Sequence, residues 1–377
     1  MYQLQHYLEM MTDRHRMVPL EAAIRSVVRL GHTVVDLGAG TGVLTFIALK
    51  AGAAHVYAIE CSPMIEVARR VARANGLDHR ITFIHADART VTLPQRVDGF
   101  IGDVRGALPL REDNIDLFET LRARWLKPGG YTVPLTDQII VAPVSAATPR
   151  ASIDGWNHPR PEADYQPAAE IASNGFQRVT FAPGDVLAEG RILGDVQYEG
   201  SNPRKLALKT SFTMAKTQTL TGLGMWFRGT LAPEISFDTS PSSPASVYGQ
   251  AFFPLTTARP VIAGESIAVE VTVHRTPAQP VWGWKVSSSR GQSWQESHST
   301  LKSLLLTTST LEWMTGTSCP TLSEDGRVAS HLLARADGNA TARELAAGLV
   351  TTFPHRFRSV DDAFPTVMKV LERYASP

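Results

Sequence analysis

A chain of 377 residues is too long for one compact domain and suits two or three, and 43% apolar against 19% charged residues excludes disorder of the whole. The 37 basic and 36 acidic side chains leave a net charge of +1, which excludes a generally basic nucleic-acid binder or a polybasic membrane protein. Two distant cysteines, Cys61 and Cys319, argue against a disulfide framework or zinc site; without an apolar span or signal peptide, the expected setting is a reducing cytoplasm.

Residues 2–30 read as helical, with Tyr7, Met10 and Met11 on one face and a second amphipathic turn over Leu20–Val28. From Thr33 the texture changes. Short β-branched runs (Thr33–Leu37, His55–Ile59, Ile81–His85, Gly99–Gly102) alternate with helical segments (Val43–Ala51, Pro63–Asn75, Asn114–Trp125), the mark of a parallel sheet with crossover helices. Leu126–Gly130 reads as a turn leading into Tyr131–Val133. Residues 146–175, rich in Pro, Ala and polar side chains, read as an exposed excursion.

Alternating strands follow at Leu206–Thr213, Gly222–Gly229, Ser246–Phe253, Ser266–His274 and Val281–Ser287, which predicts an antiparallel, barrel-like domain. A Ser/Thr-rich stretch (Ser297–Ser318) leads to helices at Arg327–Ala336, Thr341–Thr352 and Ser359–Tyr374. The predicted fold class is thus α/β: a Rossmann-like doubly wound parallel sheet, then an antiparallel β-barrel domain and a small helical or winged-helix-like module.

Asp36-Leu-Gly-Ala-Gly-Thr-Gly42 follows a strand and opens a helix, and Gly38, Gly40 and Gly42 permit a tight turn with close approach of backbone to ligand. Glu60 stands at the end of the next strand, placed for a bidentate bond to ribose hydroxyls. The glycine spacing lacks the pyrophosphate-binding form, so Asp36, Glu60 and the later Asp87 fit a nucleoside such as S-adenosylmethionine, with Asp87 and the Ala88 backbone reading the adenine edge. No metal is expected. Among the other candidates, His6 and His15 read as surface residues and Cys61 as a small buried one.

The segment VVDLGAGTGVLTFIALKAGAAHVYAIECS resembles the cofactor half of the protein arginine methyltransferases. The resemblance extends upstream to Glu9–Arg16 and downstream to Asp238–Leu255, covering roughly residues 5–290. It implies that residues 1–32 are cofactor-lid helices, in which Arg16 pairs with the methionine carboxylate of the cofactor and Met10 packs near its reactive methyl. Residues 33–142 become the cofactor domain and 143–300 a substrate barrel whose 146–175 excursion is a dimerisation arm, hence a homodimer. The family's two acceptor-gripping glutamates correspond to Asp103 and Glu112, nine positions apart.

Departures from that pattern cluster at the acceptor. Asp103 is one methylene shorter than the family's glutamate, Arg105 replaces an apolar residue, and Ser246-Val247-Tyr248 stands for a Thr-His-Trp triplet, leaving Tyr248 as the polar aromatic. Read from the residues alone, Asp103 is a strand-end acid, and Glu112, beside Arg111, Asp113 and Asn114, looks like a helix entrance. Residues 318–377 resemble the PqqD-like leader-recognition modules of enzymes that modify ribosomally made peptides, which add a peptide as a strand to a sheet edge.

The resulting expectation is methyl transfer to a nitrogen, guanidinium or amine, of a peptide or protein held by Asp103 and Glu112. A ribosomally synthesised precursor peptide is one such partner; nucleic acid and membrane are not expected. Two alternatives stay open: methylation of a small molecule or of a carboxylate drawn by Arg105, and a catalytically altered subunit that only binds cofactor or peptide.

Overall fold

The computed structural model describes residues 3–158, 160–291 and 293–375, so the predicted helix start at residue 2 and the last two residues of the tail lie outside it. The chain divides into two compact units, Met1–Leu304 and Leu305–Pro377.

In the first unit the predicted amino-terminal helix is two, α1 (Leu4–Thr12) and α2 (Arg14–Val27). Asp13 breaks them apart: its backbone is extended and its carboxylate accepts the Arg16 N–H, an N-cap for α2. There follow β1 (Thr33–Leu37), α3 (Val43–Ala51), β2 (His55–Glu60), α4 (Ile65–Ala74), β3 (Ile81–His85), β4 (Val97–Gly102), α5 (Asn114–Trp125) and β5 (Leu126–Val133). These strands form a parallel sheet in the order β3-β2-β1-β4-β5. The order reverses between β1 and β4, and the crevice beyond the carboxyl ends of those two strands is where open α/β sheets bind ligands.

The turn expected at Leu126–Gly130 lies inside β5. Val97 pairs with Leu126 and Gly99 with Tyr131, so the intervening residues bulge out of the ladder around Gly129, whose φ is +76°.

Next come β6 (Thr136–Val144), α6 (Ala147–Asp154), α7 (Gln166–Ala172), β7 (Gln177–Val179), β8 (Arg191–Gln197), β9 (Lys205–Thr213), β10 (Gln218–Ala232) and β11 (Ile235–Asp238). The unit closes with β12 (Gln250–Val261), β13 (Ser266–His274), β14 (Val281–Ser288) and β15 (Trp294–Ser299). All are antiparallel, in a six-stranded sheet (β7-β12-β10-β6-β8, with β11 on β10) and a four-stranded one (β15-β14-β13-β9). Phe212, Phe253, Trp282 and Trp284 are fully buried in their core, and the Trp284 indole donates to the Pro254 carbonyl at 2.9 Å.

The predicted strand Ser246–Phe253 begins four residues late. Gly249, at φ +59°, closes a turn whose N–H returns to the Ser246 carbonyl, so Tyr248 sits on a loop rather than in the ladder. The 146–175 excursion carries α6 and α7 rather than irregular loop alone.

The second unit comprises α8 (Thr308–Met314), α9 (Glu324–Leu333), α10 (Ala342–Thr352) and α11 (Val360–Tyr374). Ser323, Thr341 and Ser359 cap the last three through their hydroxyls, and Val328, Leu332, Leu345, Leu349, Phe353 and Val367 form their core. Among its described residues there is no strand, so the sheet edge expected to receive a peptide is missing.

Candidate functional site

The bend after β1 is built by glycine. Gly38, Gly40 and Gly42 have φ of +71°, +53° and +86°, and Gly42 is the N-cap of α3. A Cβ at Gly40 would lie 2.5 Å from the Tyr7 ring, so α1 closes on the bend with no room for a side chain. At the end of β2, Glu60 accepts the Gly40 N–H at 3.0 Å through one oxygen and the Ser62 N–H at 2.8 Å through the other. The Cys61 thiol also points to Oε1, at 3.7 Å, so of a carboxylate's roughly four acceptor positions one remains, on Oε2, for a hydroxyl donor.

Asp36 is wholly buried. Its Oδ2 accepts the Thr45 hydroxyl at 2.6 Å, while its Oδ1 has no partner. Burial pushes its carboxyl up to about 6, against the opposing bonds from Thr45. A carboxyl raised on folding contributes stability below its ordinary pKa and loses it as pH rises through the folded value. From 3.8 to about 6 the loss is about 3 kcal/mol. Asp36→Asn is therefore expected to flatten the fall in stability between pH 4 and pH 7, measured by urea midpoints; an unchanged slope counts against the buried charge.

These residues suit a nucleoside cofactor: a backbone bend offering close approach, an acid with a spare acceptor position, and a buried carboxylate oxygen left without a partner. Ala88, also expected to contact it, is buried, whereas Asp87 is half-exposed, accepts the Arg89 N–H at 2.9 Å and pairs with the Arg89 guanidinium. Cys61, expected to be buried, is exposed. His15 is not free on the surface: its Nε2 bonds the Asp238 carbonyl at 2.8 Å.

Asp103 lies just past β4, whose Gly102 pairs with Leu37 at the edge of the bend; Val104 would touch a Cβ on Gly38 at 3.3 Å. The acid is buried among cations. Its Oδ2 accepts Arg16 Nε and the Tyr248 hydroxyl, both at 2.6 Å, and its Oδ1 accepts Arg105 Nε at 2.8 Å. Burial alone would raise its pKa, but the charges of Arg16 and Arg105 outweigh that and hold it well below the carboxylate range. Burial, with the neighbouring Asp103, pushes the Tyr248 hydroxyl up, so it is a donor at neutral pH. Arg16 also donates through Nη1 to the Met10 carbonyl at 3.0 Å, which ties the two predicted lid residues together.

Glu112 does not join this group. Its side chain is 68% exposed, its backbone has φ +49°, and it pairs with Arg111 at 3.5 Å just before α5. The convergence of Asp103 and Glu112 expected from their spacing is replaced by Asp103 converging with Asp137. The guanidinium of Arg105 bridges them, donating from Nη1 to Asp137 Oδ1 at 3.0 Å and from Nη2 to the Tyr248 hydroxyl at 3.1 Å. Asp137 Oδ2 accepts the Tyr198 hydroxyl at 2.7 Å.

Asp137, Tyr198 and Thr45 carry no motif. The one hint was a lone acid at the start of the long apolar strand β6. The N-terminal helices are also fastened to the barrel: Asp13 Oδ2 accepts the Val247 N–H at 2.8 Å, next to Tyr248. No described helix is long and apolar enough to cross a membrane.

Residues 34–130 match the model of a methyltransferase domain family. Protein arginine N-methyltransferase 6 of Xenopus laevis is 32% identical over 127 residues, 34% of this chain and 37% of that protein. The chain thus spans little more than a third of the length of the curated relatives it matches. The fold match is broader. The structure of Arabidopsis thaliana protein arginine methyltransferase 10 aligns with a TM-score of 0.68 at 23% identity, covering 79% of this chain and 98% of that one. The Trypanosoma brucei PRMT1 enzyme-prozyme heterotetrameric complex with AdoHcy aligns with a TM-score of 0.68 at 19% identity, covering 78% of this chain and 97% of that one. The chain therefore contains a class I methyltransferase domain within an arginine-methyltransferase-like fold.

Proposed function

We propose that this chain is an S-adenosylmethionine-dependent methyltransferase that acts on a nitrogen of a peptide or protein. The observation that carries this reading is the junction of β1 and β4, where the glycine bend with Glu60 meets the buried, ionised Asp103. The cofactor, when bound, supplies an electrophilic methyl on a sulfonium.

The chain's own residues do the rest. Glu60 would hold the ribose hydroxyls, and Asp87, once released from Arg89, and the Ala88 backbone would hold the adenine. Arg16 would offer the donors not spent on Asp103, Met10 and Met17 to the cofactor carboxylate, and Met10 would pack against the methyl end. Asp103 and the Tyr248 hydroxyl orient the acceptor nitrogen and fix its proton, and α1 over Gly40 excludes water. In this reading residues 1–32 are the lid, 33–142 the cofactor domain and 143–300 the substrate domain.

The arm at 146–175 exposes Trp156, Tyr165 and Ile171, which supports its use in a homodimer. Residues 318–377 would hold the leader of a precursor peptide on a helical surface. The carboxylate-acceptor alternative loses its anchor, because the Arg105 guanidinium is already committed to two acids.

Titration calorimetry of the full chain with S-adenosylmethionine tests the reading: binding is expected, and no affinity overturns it. With cofactor and a candidate precursor, deletion of 318–377 is expected to raise KM for the long peptide more than for its short core. A second reading, a binding subunit without catalysis, is favoured by one observation: both oxygens of Asp103 are taken by the chain's own side chains and Glu112 stands outside. Cofactor binding without transfer to any peptide is its signature.

A further inference from the structure

The surroundings of Arg105 have the composition of a receptor for a guanidinium. Its side chain is 0% exposed, and the acids on either side, Asp103 and Asp137, are 3% and 0% exposed. Its Cζ lies 5.5, 5.0 and 5.3 Å from the ring centroids of Phe227, Phe237 and Tyr248. Two carboxylates in hydrogen-bonding reach and aromatic faces around the plane are the two ways proteins bind this group, and Arg satisfies both at once.

The backbone has made room as well. Gly229 of β10 faces the group, and a Cβ there would fall 2.9 Å from Asp137 Oδ1 and 3.1 Å from Arg105 Nη1. Charge closes the account. Within the ion-paired group, Arg16 and Arg105 balance Asp103 and Asp137, so both acids of the pocket are already neutralised by the chain's own cations.

We propose that Arg105 is a built-in guanidinium that fills the acid-and-ring pocket beside the glycine bend and thereby sets acceptor specificity. The pocket is closed to an arginine side chain, and the acceptor is a nitrogen without permanent charge, such as an amine presented as its free base. This rests on the methyltransferase reading for the identity of the acceptor, but the pocket itself is tested without cofactor.

Arg105→Ala in the full chain empties the site. Millimolar methylguanidinium is expected to raise the unfolding temperature of Arg105→Ala by several degrees, leave wild type unmoved, and outperform methylammonium at equal ionic strength. No rise, or the same rise with methylammonium or in wild type, overturns the proposal. If Arg105→Ala does not fold unaided, refolding yield with and without methylguanidinium replaces the midpoint, with the same two outcomes. Separately, wild type with S-adenosylmethionine is expected to leave the arginines of an arginine-bearing peptide unmethylated; their methylation overturns the specificity. Failure of the methyltransferase reading is distinct, since it appears as absent cofactor binding while the methylguanidinium effect persists.

Discussion

Asp103→Asn is expected to destabilise the first unit by about 3–5 kcal/mol, the cost of leaving buried cations without their counter-charge. Arg16 and Arg105 both lean on this carboxylate, with side chains 7% and 0% exposed, so neither regains water when it is neutralised. In the proposed function the same change removes the acid that orients the acceptor, so turnover on a nitrogen is expected to vanish. Urea unfolding reads the first effect and methyl transfer the second. Combining Asp103→Asn with Arg105→Met removes one stranded charge, and the pair is expected to cost less than the two single changes added together. A midpoint that does not move with Asp103→Asn would mean that the network adds nothing to stability.

Glu60→Ala carries the second large effect. The variant deletes the acceptor of the Gly40 and Ser62 N–H groups and the grip on the ribose. Loss of a hydrogen bond to a charged group is worth ~1.5–3 kcal/mol, so calorimetry is expected to give tenfold or weaker S-adenosylmethionine binding. Glu60→Gln keeps the shape and gives up the charge, and is expected to fall between. Equal affinity in all three proteins would remove Glu60 from the cofactor site.

The parallel sheet was legible because its signals are local. Thr33–Leu37, Ile81–His85, Val43–Ala51 and Asn114–Trp125 fall where periodicity and the glycine bend predict them. Glu60 stands at the end of β2, where the pattern put it. Asp103, Arg105 and Tyr248 are grouped only through the family resemblance, while the pairing of Arg16 with Asp103 and the part of Asp137 and Tyr198 were not legible, because these partners lie 87, 32 and 61 positions apart and no short-range rule joins them.

Glu112 shows the opposite failure. Its spacing from Asp103 matches the pattern of the resembled family, yet Asn114, bonded to the Val104 and Pro109 carbonyls, holds the loop in a form that leaves the acid in water. β6 was passed over because a continuous apolar run fits helix and strand alike. Among the described residues of the last unit the expected wing is absent: three helices, each started by a hydroxyl cap, are joined by turns and loops that form no strand.

One carboxylate fastens the start of α2 and the turn before β12, since Asp13 accepts from Arg16 on one side and Val247 on the other. Lifting the first helices away would therefore break a bond to the turn that carries Tyr248. A single side chain at the helix break thus joins two stretches of chain more than two hundred residues apart.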